Sequence, residues 1–344
     1  MPPSSGRPEV TVAEVGEFAL IERLRRLVPV TGPGVVIGIG DDAAVVQVSG
    51  QVLATCDVQV EGVHFTRDLS MPPDIGWRAL AVNLSDIAAM GGTPRYALVS
   101  LLLPPEIRVD VLDGVYTGLA EIASSHGVTV VGGNVSRTSG PLVIDVTLLG
   151  EARRVLTRAG ARPGNGVWIS GSVGKAAAGL FLLRHHEMRA PDADTLAAAY
   201  RRPVPRVAMG QALARMRTVT AMIDTSDGTA RDLLHITDAS GVGVRLDLDR
   251  LPLAPGMAAA ARAAGRDPTA WALGGGEDYE LLFTADQGFE TSAAAVERAA
   301  GVPLTRIGEI LRSEDGRWLA RGDGSRTPLV PTGWDHFRDA AGQG

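Results

Sequence analysis

Cysteine is nearly absent from this 344-residue chain: Cys56 stands alone. No internal disulfide framework can form, and a reducing cytoplasm is the simplest setting. Long apolar runs are missing too, and none approaches the ~20 residues needed to span a bilayer. The opening MPPSSGRPEV has no apolar core of the signal-peptide kind and reads as a frayed tail over residues 1–13. No Lys/Arg-rich run stands out, and the formal net charge is −6. That balance speaks against a nucleic-acid or polybasic membrane surface. Six scattered histidines and one cysteine argue against a zinc site. There is no repeat of fixed period, and glycine and proline punctuate the chain without forming a low-complexity tract.

What is present is core-forming material. Hydrophobic residues make up 45% and charged residues 21%, which fits a globular protein, and the length fits two domains. Periodicity predicts a helix over 14–28, with Phe18, Ile21, Leu24 and Leu27 at helical spacing. Strands are expected at 35–39, 43–48 and 51–58, then a helix at 74–90, a strand at 96–103, a helix at 108–126 and strands at 128–132 and 142–150. RAGARPGNG (158–166) is a glycine- and proline-rich joint, so the first domain is placed at 14–151 and the second at 152–344. In the second, strands at 167–171, 219–224, 242–247, 279–285 and 304–311 alternate with helices at 174–186, 227–239 and 289–300. The fold class is α/β with mixed α+β character.

The chemistry-bearing residues are acidic and lie at turns. VVIGIGDDAAVVQV (35–48) sets Asp41 and Asp42 between two stretches that read as buried strand. A solvated turn would account for that pair taken alone. Asp57 follows on the next strand, and Asp86 lies inside an apolar helix three residues after Asn83, where aspartate has poor propensity. MIDTSDGTARDLLHI (222–236) places Asp224, Ser226 and Asp227 where a strand runs into a helix. An N-cap would explain Asp227 but not Asp224. ALGGGEDYELLF (272–283) puts Glu277 and Asp278 after three glycines. Two unit charges 4 Å apart repel by about 4 kcal/mol at an effective dielectric of 20. Converging carboxylates therefore need a hard divalent cation, and Mg²⁺ typically comes with substrate phosphates. ISGSVGKAAAG (169–179) imitates a P-loop, but Ile169 and Ala176 occupy positions where that motif needs glycine and Ser/Thr.

Taken in order, GIGDDAAVV, TCDVQVEGVHF, AVNLSDIAAMGGTPRYALVSLLLP, VVGGN, VLTRAGARPG, IDTSDGTARDLLHI and GGEDYELLF resemble the thiamine-monophosphate kinase family. This family lies within the aminoimidazole-ribonucleotide-synthetase superfamily. The closing GWDHF resembles the family's ending, so the likeness spans about residues 14–338. It implies an N-terminal domain contributing strands to a barrel across a homodimer, and a C-terminal α/β domain. It also implies a cytoplasmic enzyme that phosphorylates thiamine monophosphate with ATP and several Mg²⁺ ions. Residue by residue, Asp42, Asp57, Asp86, Asp224 and Asp227 match its Mg²⁺-binding aspartates. Thr55 and Cys56 match metal-contacting neighbours, Cys56 through its backbone. Gly133, Asn134, Arg158 and Ser226 match nucleotide contacts. His64, Glu277 and Trp334 or Phe337 match groups that hold the thiamine end. Asn134 stands where many relatives carry aspartate; an amide oxygen can still ligate metal, with one negative charge fewer. Val58 and Val63 replace polar residues common beside the metal strand and the histidine. The alternatives are another ATP-using enzyme of the superfamily, or a nucleotide-binding scaffold without turnover.

Overall fold

The computed structural model describes residues 10–40 and 42–333. The chain forms two compact units. One takes in the chain up to Asn83 together with Pro94–Glu151; the other takes Leu84–Thr93 together with the chain from Ala152 on.

The first unit holds α1 (Val12–Val15), α2 (Glu17–Arg25), β1 (Val35–Ile37), β2 (Val45–Val46), β3 (Gln51–Val60), α3 (Pro72–Ala89), β4 (Thr93–Leu103), α4 (Val109–His126), β5 (Thr129–Arg137) and β6 (Val143–Ala152). The last turns of α3 belong to the second unit. A four-stranded sheet runs in the order β3-β6-β4-β5. Strand alternation gives it one buried row, with Ile144, Val146 and Leu148 on β6. The inward residues of α4, including Leu112, Val115, Leu119 and Ile122, are equally buried. Burying such side chains contributes about 1.5–3 kcal/mol each.

Two expectations for this unit need correction. The helix expected over 14–28 is broken at Gly16, and it buries Leu20 and Leu24 while Phe18 is 84% exposed. The stretches flanking Asp42 are not buried strands. They form a short antiparallel hairpin, β1 with β2, whose Val36, Ile37 and Val45 are exposed, as is Val48 beyond it. The sequence marks these residues as apolar, but nothing within the described chain covers them.

The second unit holds β7 (Gly166–Ser170), α5 (Lys175–Arg184), α6 (Ala193–Arg201), α7 (Val207–Arg215), β8 (Val219–Asp224), α8 (Thr229–Ser240), β9 (Gly243–Asp247), α9 (Met257–Ala263), α10 (Pro268–Gly274), β10 (Leu281–Ala285), α11 (Glu290–Ala300), β11 (Leu304–Leu311), β12 (Arg317–Ala320) and β13 (Arg326–Pro328). Its sheet runs β13-β12-β9-β11-β7-β10-β8. Ile169, Ile223, Leu233, Leu282 and Ile307 anchor its core. Among the described residues only β9 and β12 pair in parallel in this sheet; the other pairs are antiparallel. Among the described residues, no helix is long and apolar enough to cross a membrane.

Candidate active site

Within the first unit, β3 displays three of the expected residues. Alternation puts Thr55 and Asp57, both half-buried, on the same side as the buried Leu53 and Gln59. Cys56 points the other way, exposed, and its thiol donates to Asp145 Oδ1 at 3.1 Å. Asp42 is exposed between β1 and β2. Its neighbour Asp41 lies outside the described residues, as do Trp334 and Phe337.

β4 and β5 run parallel, with Val99 opposite Gly133 and Ser100 opposite Asn134. No side chain fits at Gly133, because a Cβ there would lie 1.9 Å from the Val99 carbonyl oxygen. Asn134 beside it is exposed. His64 is half-buried, and its Nδ1 accepts the Val60 N–H at 3.0 Å. The neutral ring therefore carries its proton on Nε2 and presents that nitrogen as a donor.

The second unit joins the two acidic loops. β8 ends at Asp224, and antiparallel β10 begins directly opposite, with Leu281 paired to Asp224. The DTSDG loop and the GGGEDYE loop thus meet at one end of neighbouring strands. The main chain then zips them together. Thr225 N–H donates to Glu280 O at 2.8 Å, Tyr279 N–H to Thr225 O at 3.0 Å, and Glu277 N–H to Ser226 O at 2.8 Å. Gly276 approaches so closely that a Cβ would lie 2.6 Å from Ser226 O. Following this course, Glu277 and Tyr279 take φ of 63° and 51°. Non-glycine residues enter that region at a cost of about 1–3 kcal/mol each, and surrounding contacts must hold them there. β8 is an edge strand beside an antiparallel neighbour, and it is that pairing which gathers these residues.

Asp227 does not cap α8 with its side chain; Gly228 stands at the N-cap position. Asp232 reaches back instead, its Oδ2 accepting from Asp227 N–H at 3.3 Å and Gly228 N–H at 3.1 Å. Asp232 is not among the residues expected at the site. It is 1% exposed. Burial, then the charges of Asp224 and Asp227, push its pKa well above the usual carboxylate range. Ligand atoms of Asp227, Asp232 and His235 all lie within 4.8 Å of one another. Asp224 is 4% exposed and accepts a hydrogen bond from Ser85 Oγ at 2.6 Å. Asp86 is the next residue of α3 and is half-buried. Ser226 is half-buried, and Arg158 is exposed on its own loop.

The P-loop lookalike is occupied from within. The carboxylate of Asp278 accepts from Gly174 N–H at 2.5 Å and Ala176 N–H at 3.0 Å, closing the N-terminus of α5. Lys175 pairs with the buried Glu280. A protein carboxylate stands where a P-loop would hold phosphate.

Asp227 and Asp232 offer carboxylate oxygens and His235 a ring nitrogen within reach of one another, and Asp224 adds a further negative charge close to Asp232. Carboxylates so placed favour a hard cation with oxygen ligands.

Comparison with known proteins places this arrangement. The family described as AIR synthase related protein matches twice: its N-terminal domain over residues 40–152 and its C-terminal domain over 162–318. The thiamine-monophosphate kinase of Escherichia coli (strain K12) is 38% identical over 331 residues, covering 94% of this chain and 98% of that protein. The crystal structure of thiamine-monophosphate kinase from Stenotrophomonas maltophilia K279a has a TM-score of 0.78 at 36% identity, covering 92% of this chain and 98% of that one. AaThiL complexed with AMPPCP and TMP has a TM-score of 0.75 at 33% identity, covering 96% of this chain and 100% of that one. With the likeness running along both units at this level of identity, the chain belongs to the thiamine-monophosphate kinase family.

Proposed function

We propose that this chain transfers the γ-phosphoryl group of ATP to thiamine monophosphate, giving thiamine diphosphate and ADP. The observation that carries the reading is the joined frame of the DTSDG and GGGEDYE loops. It occurs in a chain alignable over 96% of its length with a relative complexed with AMPPCP and TMP.

The acceptor is itself a phosphate, with a second pKa of about 6, so it is ionised near neutral pH and needs no general base. The difficulty is bringing two polyanions into line. Phosphoryl transfer rests on positioning and charge neutralisation. Asp42, Asp57, Asp86, Asp224 and Asp227 would hold Mg²⁺, with Thr55, the backbone of Cys56 and the amide oxygen of Asn134 contributing. When bound, Mg²⁺ supplies charge neutralisation and alignment of the phosphate oxygens. Gly133, Asn134, Ser226 and Arg158 contact the nucleotide in this reading, Arg158 adding positive charge. His64 offers its Nε2–H to the thiamine end, and Glu277 sets a carboxylate against the cationic thiazolium ring.

The reading includes a homodimer. The outward row of β3 carries Val52 and Val58, 50% and 43% exposed, and the β1–β2 hairpin adds exposed Val36, Ile37 and Val45. Exposed apolar side chains in this number are what an interaction surface would use. It also includes a cytoplasmic setting, where ATP is supplied. Sedimentation of the purified protein tests the dimer; a monomer at micromolar concentration would remove it.

The test of the activity is incubation with ATP, Mg²⁺ and thiamine monophosphate, following thiamine diphosphate. Formation of thiamine diphosphate with one ADP per product is expected. ATP turnover without that product would overturn the reading.

A further inference from the structure

We propose that Ser85 is a positioning residue for the reaction: its hydroxyl orients the Asp224 carboxylate for the metal and ties the helix carrying Asp86 to the strand end carrying Asp224. The proposal rests on the metal-dependent reading above.

A serine in a helix interior ordinarily bonds a carbonyl one turn back in its own helix. Ser85 does otherwise. Its Oγ donates at 2.6 Å to Asp224 Oδ2, 139 residues further along the chain. Both residues are dry, Ser85 at 0% and Asp224 at 4% exposure. The separation is that of a hydrogen bond to an ionised acceptor, about 2.5–2.7 Å. A hydroxyl has one proton, so the donation is directional and sets the rotation of the carboxylate.

Two consequences follow from the fold. Asp224 sits near Asp232, which is buried with its own oxygen engaged by Asp227 N–H and Gly228 N–H. The Ser85 hydroxyl donates to Asp224 Oδ2 and so fixes how that carboxylate is turned beside these charges. Ser85 and Asp86 are also successive residues, so the same bond anchors α3 one position before a second expected ligand. Removing an outer partner of a ligating carboxylate typically costs about 10- to 100-fold in metal affinity.

The experiment compares wild type with Ser85→Ala and Ser85→Thr, the latter keeping a hydroxyl. Mn²⁺ binding without substrates is followed by electron paramagnetic resonance, and thiamine diphosphate formation is followed across Mg²⁺ concentrations. Expected for Ser85→Ala is about 10-fold or greater weakening of Mn²⁺ binding. The Mg²⁺ concentration for half activity rises with it, and kcat at saturating Mg²⁺ recovers most of its value. Partial rescue by Ser85→Thr is expected. If Ser85→Ala is unfolded, Ser85→Cys, close in volume with a weak donor, replaces it and is expected to show the same weakening. Unchanged Mn²⁺ affinity in a folded variant overturns the proposal, whatever happens to kcat. So does absence of Mn²⁺ binding in wild type. Failure of the functional reading looks different: wild type makes no thiamine diphosphate, while Ser85→Ala still weakens Mn²⁺ binding.

Discussion

Glu280 grips Arg206 with both carboxylate oxygens, through hydrogen bonds of 2.7 Å from Nε and 2.6 Å from Nη2. Glu280 is wholly buried and also accepts from Ser170 Oγ at 2.6 Å and pairs with Lys175. Burial works to raise its pKa, and Lys175 and Arg206 overcome that and hold it ionised. Removing one partner of a buried pair leaves uncompensated charge, at about 3–5 kcal/mol. Glu280→Ala is expected to lose stability of that order in urea unfolding at pH 7. A loss below about 1 kcal/mol would show that the two cations find water instead.

Asp278 gives a pH signature. Burial, opposed by Lys175 and the two N–H donors, pushes its pKa up to about 7 from the usual 3.8. The unfolded chain thus releases this proton near pH 4 and the folded one only near 7. Between those values the unfolded state binds fewer protons, so the contribution of Asp278 to stability falls as pH rises. Asp278→Asn lacks this loss. Melting temperatures of the two proteins are expected to shift in the variant's favour as pH goes from 4 to 7, and a constant difference would contradict this.

Glu151 has the opposite slope. Hydrogen bonds from Arg95, then from the backbone and hydroxyl of Ser49, hold its carboxyl down at about 2. Its stabilising effect is complete above about 4.5 and is lost as pH falls toward 2. Arg95 is 37% exposed, so solvent screening limits the effect to about 1 kcal/mol. Glu151→Gln is expected to melt lower than wild type at pH 7 and to match it near pH 2, read by circular dichroism.

Asn134 tests the charge argument. Asn134→Asp adds one negative charge at an exposed position on β5. The expected outcome is a lower Mg²⁺ requirement for thiamine diphosphate formation, by several-fold. An identical Mg²⁺ titration would remove residue 134 from the ligand set.

Much of the second unit was legible because its strands carry strong local patterns. Residues 219–224 and 304–311 are strands over the expected bounds. Helices α6, α7, α9 and α10 were not, because at seven to nine residues each is shorter than the window over which a helical period declares itself. The β1–β2 hairpin misled for a different reason: apolar character says that a residue seeks cover, not which surface provides it. At the site, DTSDG and GGGEDYE were each visible as acidic loops. Their union was not, since it depends on β10 returning antiparallel beside β8, a pairing no local pattern encodes. Asp232 was hidden for a similar reason; its part depends on Asp227 and Gly228 folding back toward it.

The three main-chain bonds that lock residues 225–226 to 277–280 have an evolutionary meaning. A point substitution can delete a side chain but leaves a peptide carbonyl in place. The frame under the acidic loops is therefore inherited with the chain's path, while the groups displayed at 226, 227 and 277 stay open to exchange. A scaffold secured this way lets new chemistries be tried without being rebuilt for each one.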